Sequence, residues 1–506
     1  MKFLYNFITK SFKKEIDGIG LSIFRIFYFT VFLCEIVQIF YYRHLIFDKI
    51  PYIEPSELNF AIPLVVWIFI ILNLIIGNKT TFYCIINYIF TVIFISSMNS
   101  YFYHVFFIYT TINFLVIFIP ISNRLSIDRI LRYIKNKDLN PSKVNQFYYL
   151  IIPFITIGIV YLDSFIMKLT SSSWQQGLGL WKPASLPMLI NNDLTFLLNN
   201  EYLMYIIGYF ILLFEAVFVF LFFRKKWRIP FVIIGFIFHL GIIIAFPIPW
   251  FGLTLISIYL LLMPVKIWEK IYLFFKLNKL KLIIYNFIQK YFDTINYQKI
   301  IIFKNINSNF WYKIIVLYMS FQFLLLSCTL TNIILKNINQ EQTFINKLAK
   351  KTYLTLQPIT AKFFGISTTG VFIDHYHYDD YEHIIAITYL DKKTGKEIWL
   401  PYINKSGRPE LSGIYWNKFG YRMNNRVIKP EKLKNGVKDF TAYWAYKNSI
   451  NLEDAQFNIK VKKIEQPKKW EKDFLKKQMK NQWIDGGFVN WKDKKIEFNI
   501  EDIEKL

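Results

Sequence analysis

Cysteine is nearly absent from this chain. Its three residues, Cys34, Cys84 and Cys328, all fall inside apolar stretches, and none makes a CxxC pair. That excludes a disulfide framework and leaves no zinc or redox dithiol motif. Acidic residues are also scarce, 35 against 60 Lys and Arg, for a net charge of +25. Such a balance can mark nucleic-acid binding, but no nucleic-acid motif occurs and the lysines gather in loops between apolar segments. Orientation by the positive-inside rule accounts for the charge better. The basic start MKFLYNFITKSFKKEIDG is not followed by a short apolar core with a small-residue cleavage site. The first apolar helix therefore reads as a retained anchor. Internal repeats are missing, as are the inverted repeat and paired Gly/Pro-broken helices of many transporters.

Apolar length dominates what remains. Of 506 residues, 54% are hydrophobic and 20% aromatic, too many for a typical soluble protein. Nine candidate spans follow, at about 19–42, 58–77, 80–98, 103–121, 146–168, 202–223, 229–248, 251–264 and 313–335. Loop charge orients them. With the N-terminus inside, the inner loops hold Lys13, Lys14, Arg124, Arg129, Arg132, the run RKKWR and the lysines from Lys266 to Lys304. The outer loops hold little beyond Arg43, Lys49 and Lys182. One span fewer would instead put the C-terminal region inside.

The expected fold is a polytopic all-α membrane bundle of about nine transmembrane helices followed by a β-rich extracytoplasmic domain. Residues 1–275 form the bundle, 276–335 a cytoplasmic interfacial connection plus the last span, and 336–506 the outer domain. Within Val265–Asn309, lysines alternate with large apolar residues at helical spacing, which suits a helix on the inner membrane surface or one packed under the bundle. In the outer domain, 368–403 reads as three short strands with turns near Tyr378–Tyr381 and at DKKTG. Thr441–Tyr446 and Phe457–Lys463 read as further strands, and Trp470–Trp483 as a helix ended by Gly486–Gly487.

Charged side chains at membrane depth are costly and are retained mainly where they pair, line a cavity or do chemistry. The stretch YLDSFIMKLTSSSWQQG (161–177) places Asp163 and Lys168 on one span. His104 opens the fourth span and His239 lies within the seventh. Two imidazoles and an amine at similar depth on three helices point to a shared cavity. An amine held partly away from water can act as a base, and imidazoles in reach can relay its proton. Arg25 either snorkels to the inner interface or joins the interior, and Glu35 and Glu215 read as interhelical hydrogen-bond partners. In the outer domain, His375, His377 and His383 have a spacing that can hold zinc, although a solvated hairpin explains them more simply, and no metal is expected.

Four stretches in order, GLSIFRIFYFTVFLCEIVQ (20–38), MNSYFYHVFFIYTTINFLVIFIPISNRLSIDR (98–129), YLDSFIMKLTSSSWQQG (161–177) and FHLGIIIAFPIPWFGLTLISIYLLLMP (238–264), resemble the HTTM (horizontally transferred transmembrane domain) family. The resemblance covers roughly residues 15–275. Its best known member is the vitamin K-dependent gamma-glutamyl carboxylase, which couples oxidation of reduced vitamin K to carboxylation of glutamate. The resemblance implies a lyase-like membrane enzyme with Lys168, His104 and His239 as catalytic residues, and Asp163 and Trp174 beside the cofactor. It also implies a reduced vitamin K or menaquinol-like quinol, an extracytoplasmic protein or peptide substrate, and residence in a bacterial inner membrane with the N-terminus cytoplasmic. Membrane lipid is the other expected partner, and nucleic acid is not. The competing reading is a non-enzymatic envelope scaffold that presents its outer domain to partner proteins.

Overall fold

The computed structural model describes residues 2–54, 59–98, 101, 103–136, 143–274, 307–368, 370, 373, 382–391, 394–424 and 430–500. Each of the nine apolar stretches carries a helix: α1 (Ile19–Tyr41), α2 (Ala61–Ile76), α3 (Thr80–Ser97), α4 (Val105–Leu115), α5 (Tyr148–Lys168), α6 (Glu201–Leu221), α7 (Lys225–Ala245), α8 (Pro249–Leu262) and α9 (Ser308–Asn337). Six of them, α1, α3, α5, α6, α7 and α9, are long and apolar enough to cross a bilayer. α8 qualifies only with the helix Val265–Phe274, from which it bends by 102°. α2 and α4 are shorter. α4 stops at Leu115 because Pro120 has no N–H to offer the carbonyl four residues back and its ring clashes there.

The outward faces of α2, α6 and α7 expose Val65, Phe69, Ile206, Leu213, Ile233 and Ile237. Bare apolar faces of this extent suit hydrocarbon rather than water. α5 is the exception. It is 78% buried over its apolar window, against at most 50% for the other five, and it touches α1, α4, α6, α8 and α9. Pro153 removes one intrahelical donor from it, and a π-turn over Phe154–Ile159 follows directly.

The two ends of the bundle differ in chemistry. One collects Lys13, Lys14, Arg124, Arg129, Arg132 and the run from Arg224 to Arg228. Arg25 lies at this end but does not snorkel out: it is fully buried and donates to the carbonyls of Ile75, Ile121 and Leu125 at 3.3, 3.3 and 2.5 Å. Gly77 sits in the left-handed region, where a Cβ would lie 2.5 Å from the Arg25 guanidinium. Asp128 then accepts from the backbone N–H groups of Lys79 and Thr80, at the start of α3. The FR and SxDR markers thus build a structural joint.

The C-terminal region covers the opposite end. After α9 the chain turns and α10 (Phe344–Phe364) runs back along it, packed also on α3 and α4. Residues 336–506 therefore start with a helix that belongs to the bundle. A five-stranded antiparallel sheet follows: β1 (His383–Asp391), β2 (Lys396–Trp399), β3 (Gln456–Lys463), β4 (Trp483–Lys492) and β5 (Lys495–Ile500), in spatial order β2-β1-β3-β4-β5. β3 alternates, with Phe457, Ile459 and Val461 buried. Between β2 and β3 lies α11 (Pro430–Lys447), so Thr441–Tyr446 is helical rather than extended. The helix of Phe474–Lys480 ends before Gly486 and Gly487, which instead sit in β4, two residues opposite Ile459 of β3. That is a β-bulge, and Gly487, at φ +101°, supplies the backbone it needs. Two of the expected strands, β1 and β2, are present, while residues 374–381 lie outside the described residues.

This region is fastened to the last turn of α1 and to three connecting segments at one end of the bundle. Gln38 donates to Ser412 at 3.2 Å, the Gly413 N–H to the Pro247 carbonyl at 2.7 Å, and Trp416 to the Met188 carbonyl at 2.9 Å. Lys418 reaches Tyr101 at 3.1 Å and Asp439 at 2.5 Å. Burial opposes the Lys418 ammonium, but Tyr101 and Asp439 outweigh it and hold its pKa above the usual value.

Candidate functional site

Lys168 ends α5 with its side chain almost wholly buried. Its Nζ lies 2.5 Å from Oε1 of Glu215, on the neighbouring helix α6, and 4.5 Å from the ring centroid of Trp174. A helix packed this tightly turns its charge inward only if a counter-charge waits there, and Glu215 supplies it. The serine-rich turn after α5 folds Trp174 over the pair. Gly179 makes this possible, since a Cβ there would fall 2.0 Å from the indole. Gly208 of α6 does the same for the turn, where a Cβ would meet the Gly177 carbonyl at 2.3 Å. Met167, Trp174, Ile211, Leu212, Leu326 and Ile373 enclose the site in a small apolar cluster of their own. Lys168 and Trp174 are thus brought together, and Glu215 takes the hydrogen-bonding role its position implied.

Asp163 is buried on α5 too, but five residues before Lys168. At 3.6 residues per turn it sits ~140° around the helix and faces elsewhere. Ser164 shares the Lys168 face one turn earlier, as does Tyr161, seven positions earlier and ~10.5 Å along the axis. The Tyr161 hydroxyl is 2.6 Å from His239 Nε2 and 2.9 Å from the Tyr259 hydroxyl. His239 Nδ1 has no hydrogen-bond partner among the described residues. The three side chains form one hydrogen-bonded chain, His239–Tyr161–Tyr259, whose donor direction follows the His239 tautomer. His239 is therefore tied to a hydroxyl chain two turns from Lys168 rather than to the amine. Nothing in the sequence marks Tyr161 and Tyr259 among 34 tyrosines except the i, i+7 spacing of Tyr161 and Lys168.

His104 stands at the start of α4, on a narrow cavity between α4, α5, α9 and the chain leaving α10. Thr111, Thr156, Tyr318, Gln322 and Ser367 also line it. α10 ends here at Gly365, and bundle side chains satisfy the terminal carbonyls: Tyr88 donates to Phe363, Thr111 and Tyr318 to Phe364, and Gln322 to Ser367, at 2.6–3.0 Å. Phe251 connects this cavity to His239, since it lines the one and packs edge-on to the other at 6.2 Å. The three sequence-derived catalytic candidates thus occupy three adjoining settings. Nearby Glu35 accepts from Tyr103 at 3.4 Å and from Tyr109.

Of the weak zinc candidates, His383 begins β1 and is buried, while His375 and His377 lie outside the described residues. No three His, Cys, Asp or Glu side chains converge on a metal site among the described residues. No protein-family model matches the chain, and no curated protein or solved structure matches it either.

Proposed function

We propose that this chain is a bacterial inner-membrane enzyme of the HTTM type, with its basic end cytoplasmic and its covered end extracytoplasmic. One observation carries the enzymatic reading: an amine and a carboxylate, Lys168 and Glu215, paired at 2.5 Å inside an apolar helix bundle and roofed by Trp174. A buried pair of this kind is weak evidence for stability, because desolvation offsets its attraction. Its retention is better explained by proton transfer. Nζ and Oε1 stand within hydrogen-bond distance of each other, so a proton can pass between them, and Trp174 keeps water from competing for it. The orientation rests on the segregation of Lys and Arg to the end away from the C-terminal region.

A quinol is the cofactor this reading implies. When bound it would supply, on oxidation by dioxygen, a base strong enough for carboxylation. The cavity beside His104 has a fitting chemistry for a hydroxylated ring, with Thr156 and Gln322 among the walls of Ile155, Ile159 and Phe251. Its free volume, ≈ 30 Å³, fits a water molecule and not a ring. Admission of a ring requires the helices lining it to part.

The test is reconstitution in liposomes with vitamin K hydroquinone or menaquinol, dioxygen, bicarbonate and a glutamate-containing peptide. Epoxide should form, and Lys168→Ala should reduce it by roughly 100-fold or more, the scale of a lost general base. Equal inactivity of wild type and variant on every quinol and acceptor tried would sink the proposal. The tight packing around Lys168 favours the second reading, a scaffold for envelope proteins. That reading requires a stoichiometric partner in pull-downs whose capture is indifferent to changes at Lys168, His104 and His239.

A further inference from the structure

A groove of ≈ 620 Å³ opens where the C-terminal region meets the start of α6. Gln176, Glu201, Tyr205, Tyr209, Lys469 and Trp470 line it. Its walls are fixed. Trp470 donates to the Leu198 carbonyl at 3.0 Å, and Asn199 and Asp473 exchange two hydrogen bonds at 2.8 and 2.7 Å. The groove carries both signs of charge without cancelling them internally. Glu201 accepts from the Tyr205 hydroxyl at 2.9 Å, and among the described residues neither Glu201 nor Lys469 makes an ion pair.

Its surroundings mark the edge of the hydrocarbon. Phe196 and Tyr202 beside it are each 79% exposed, the behaviour of an interfacial aromatic belt. Further along α6 the exposed residues become Ile206, Phe210 and Leu213, an apolar track leading away from the groove.

We propose that this groove binds the headgroup of a zwitterionic aminophospholipid of the surrounding bilayer, namely phosphatidylethanolamine. The primary ammonium sits against Glu201 and the faces of Tyr205 and Tyr209, where a carboxylate and ring quadrupoles both favour a cation. The phosphate sits at Lys469, and the acyl chains follow Ile206, Phe210 and Leu213. An anionic headgroup without an amine would meet Glu201 unfavourably. A choline headgroup would satisfy the rings but has no N–H to donate to the carboxylate. A soluble amine phosphate would lack the apolar track.

The experiment uses the purified full chain, delipidated in detergent and then offered lipids singly and in competition, with retention read by native mass spectrometry. Wild type should retain phosphatidylethanolamine about fivefold better than phosphatidylglycerol, the scale of one cation–π or charge contact. Glu201→Gln should erase that preference, while Lys469→Ala should weaken retention of both lipids. Soluble phosphoethanolamine at equal concentration should displace neither. Three results would each overturn the proposal: equal retention of the two lipids by wild type, unchanged phosphatidylethanolamine retention in both variants, or displacement by soluble phosphoethanolamine.

Discussion

At the scale of single residues, burial separates what sequence can mark from what it cannot. Lys168 and Trp174 are conspicuous in YLDSFIMKLTSSSWQQG because one is charged and the other opens onto glycines. Their partner, Glu215, lies 47 residues away on α6, and no local pattern selects it over Glu35. If the pair is a buried ion pair, removing one member strands the other. Lys168→Met or Glu215→Leu should each cost about 3–5 kcal/mol in thermal unfolding of the detergent-solubilised protein, and the double variant should be more stable than either. Additive losses would contradict the pairing. Asp163 shows the converse: it lies five residues from Lys168 in sequence yet on another face of α5, which a linear motif does not reveal. Tyr161→Phe should break the chain from His239 to Tyr259 and cost about 1–3 kcal/mol in the same assay, the penalty for leaving buried polar groups unmade.

Elements were legible where one physical signal dominated. Hydropathy marks the nine helical stretches because lipid exposure and core burial both demand apolar residues there. It misses α10, which carries Lys347, Lys350, Lys351, Lys362 and Pro358 and whose polar positions hide its packing against α3, α4 and α9. The aromatic run TAYWAY in α11 reads as a strand because Tyr and Trp favour sheets on average, whereas burial of Thr441, Ala442, Tyr443, Trp444 and Ala445 in a helix decides otherwise here. α10 is held by its last turn. Gly365 is at φ +68°, and a Cβ there would fall 2.1 Å from the Phe107 carbonyl. Gly365→Ala should cost about 1–3 kcal/mol and expose α10 to limited proteolysis before the rest of the chain. Unchanged proteolysis would show that the turn does not anchor the helix.

For the whole molecule, the C-terminal sheet should respond to pH through Lys462. Its Nζ contacts the carbonyls of Met479 at 2.7 Å and Lys405 at 3.3 Å, and burial lowers its pKa to about 8. The unfolded chain keeps the ordinary value near 10.4. Below about pH 8 both states hold the proton, and between the two values the unfolded state binds more of it, so stability rises with pH across that window. Lys462→Met should flatten this rise between about pH 8 and 10, followed by the unfolding midpoint. An unchanged slope would assign it to other groups.

The return of α10 alongside α9 also constrains how the protein is made. A helix bearing four lysines does not partition into lipid by itself, so the insertion machinery has no reason to retain it there. It can seat only after Tyr88, Thr111 and Tyr318 stand ready to receive its terminal carbonyls. All three precede α10 in the chain, so its docking site can be in place before the sheet is made. Biogenesis then runs in two stages, membrane helices first and a late docking of α10 that draws the C-terminal region down onto the bundle.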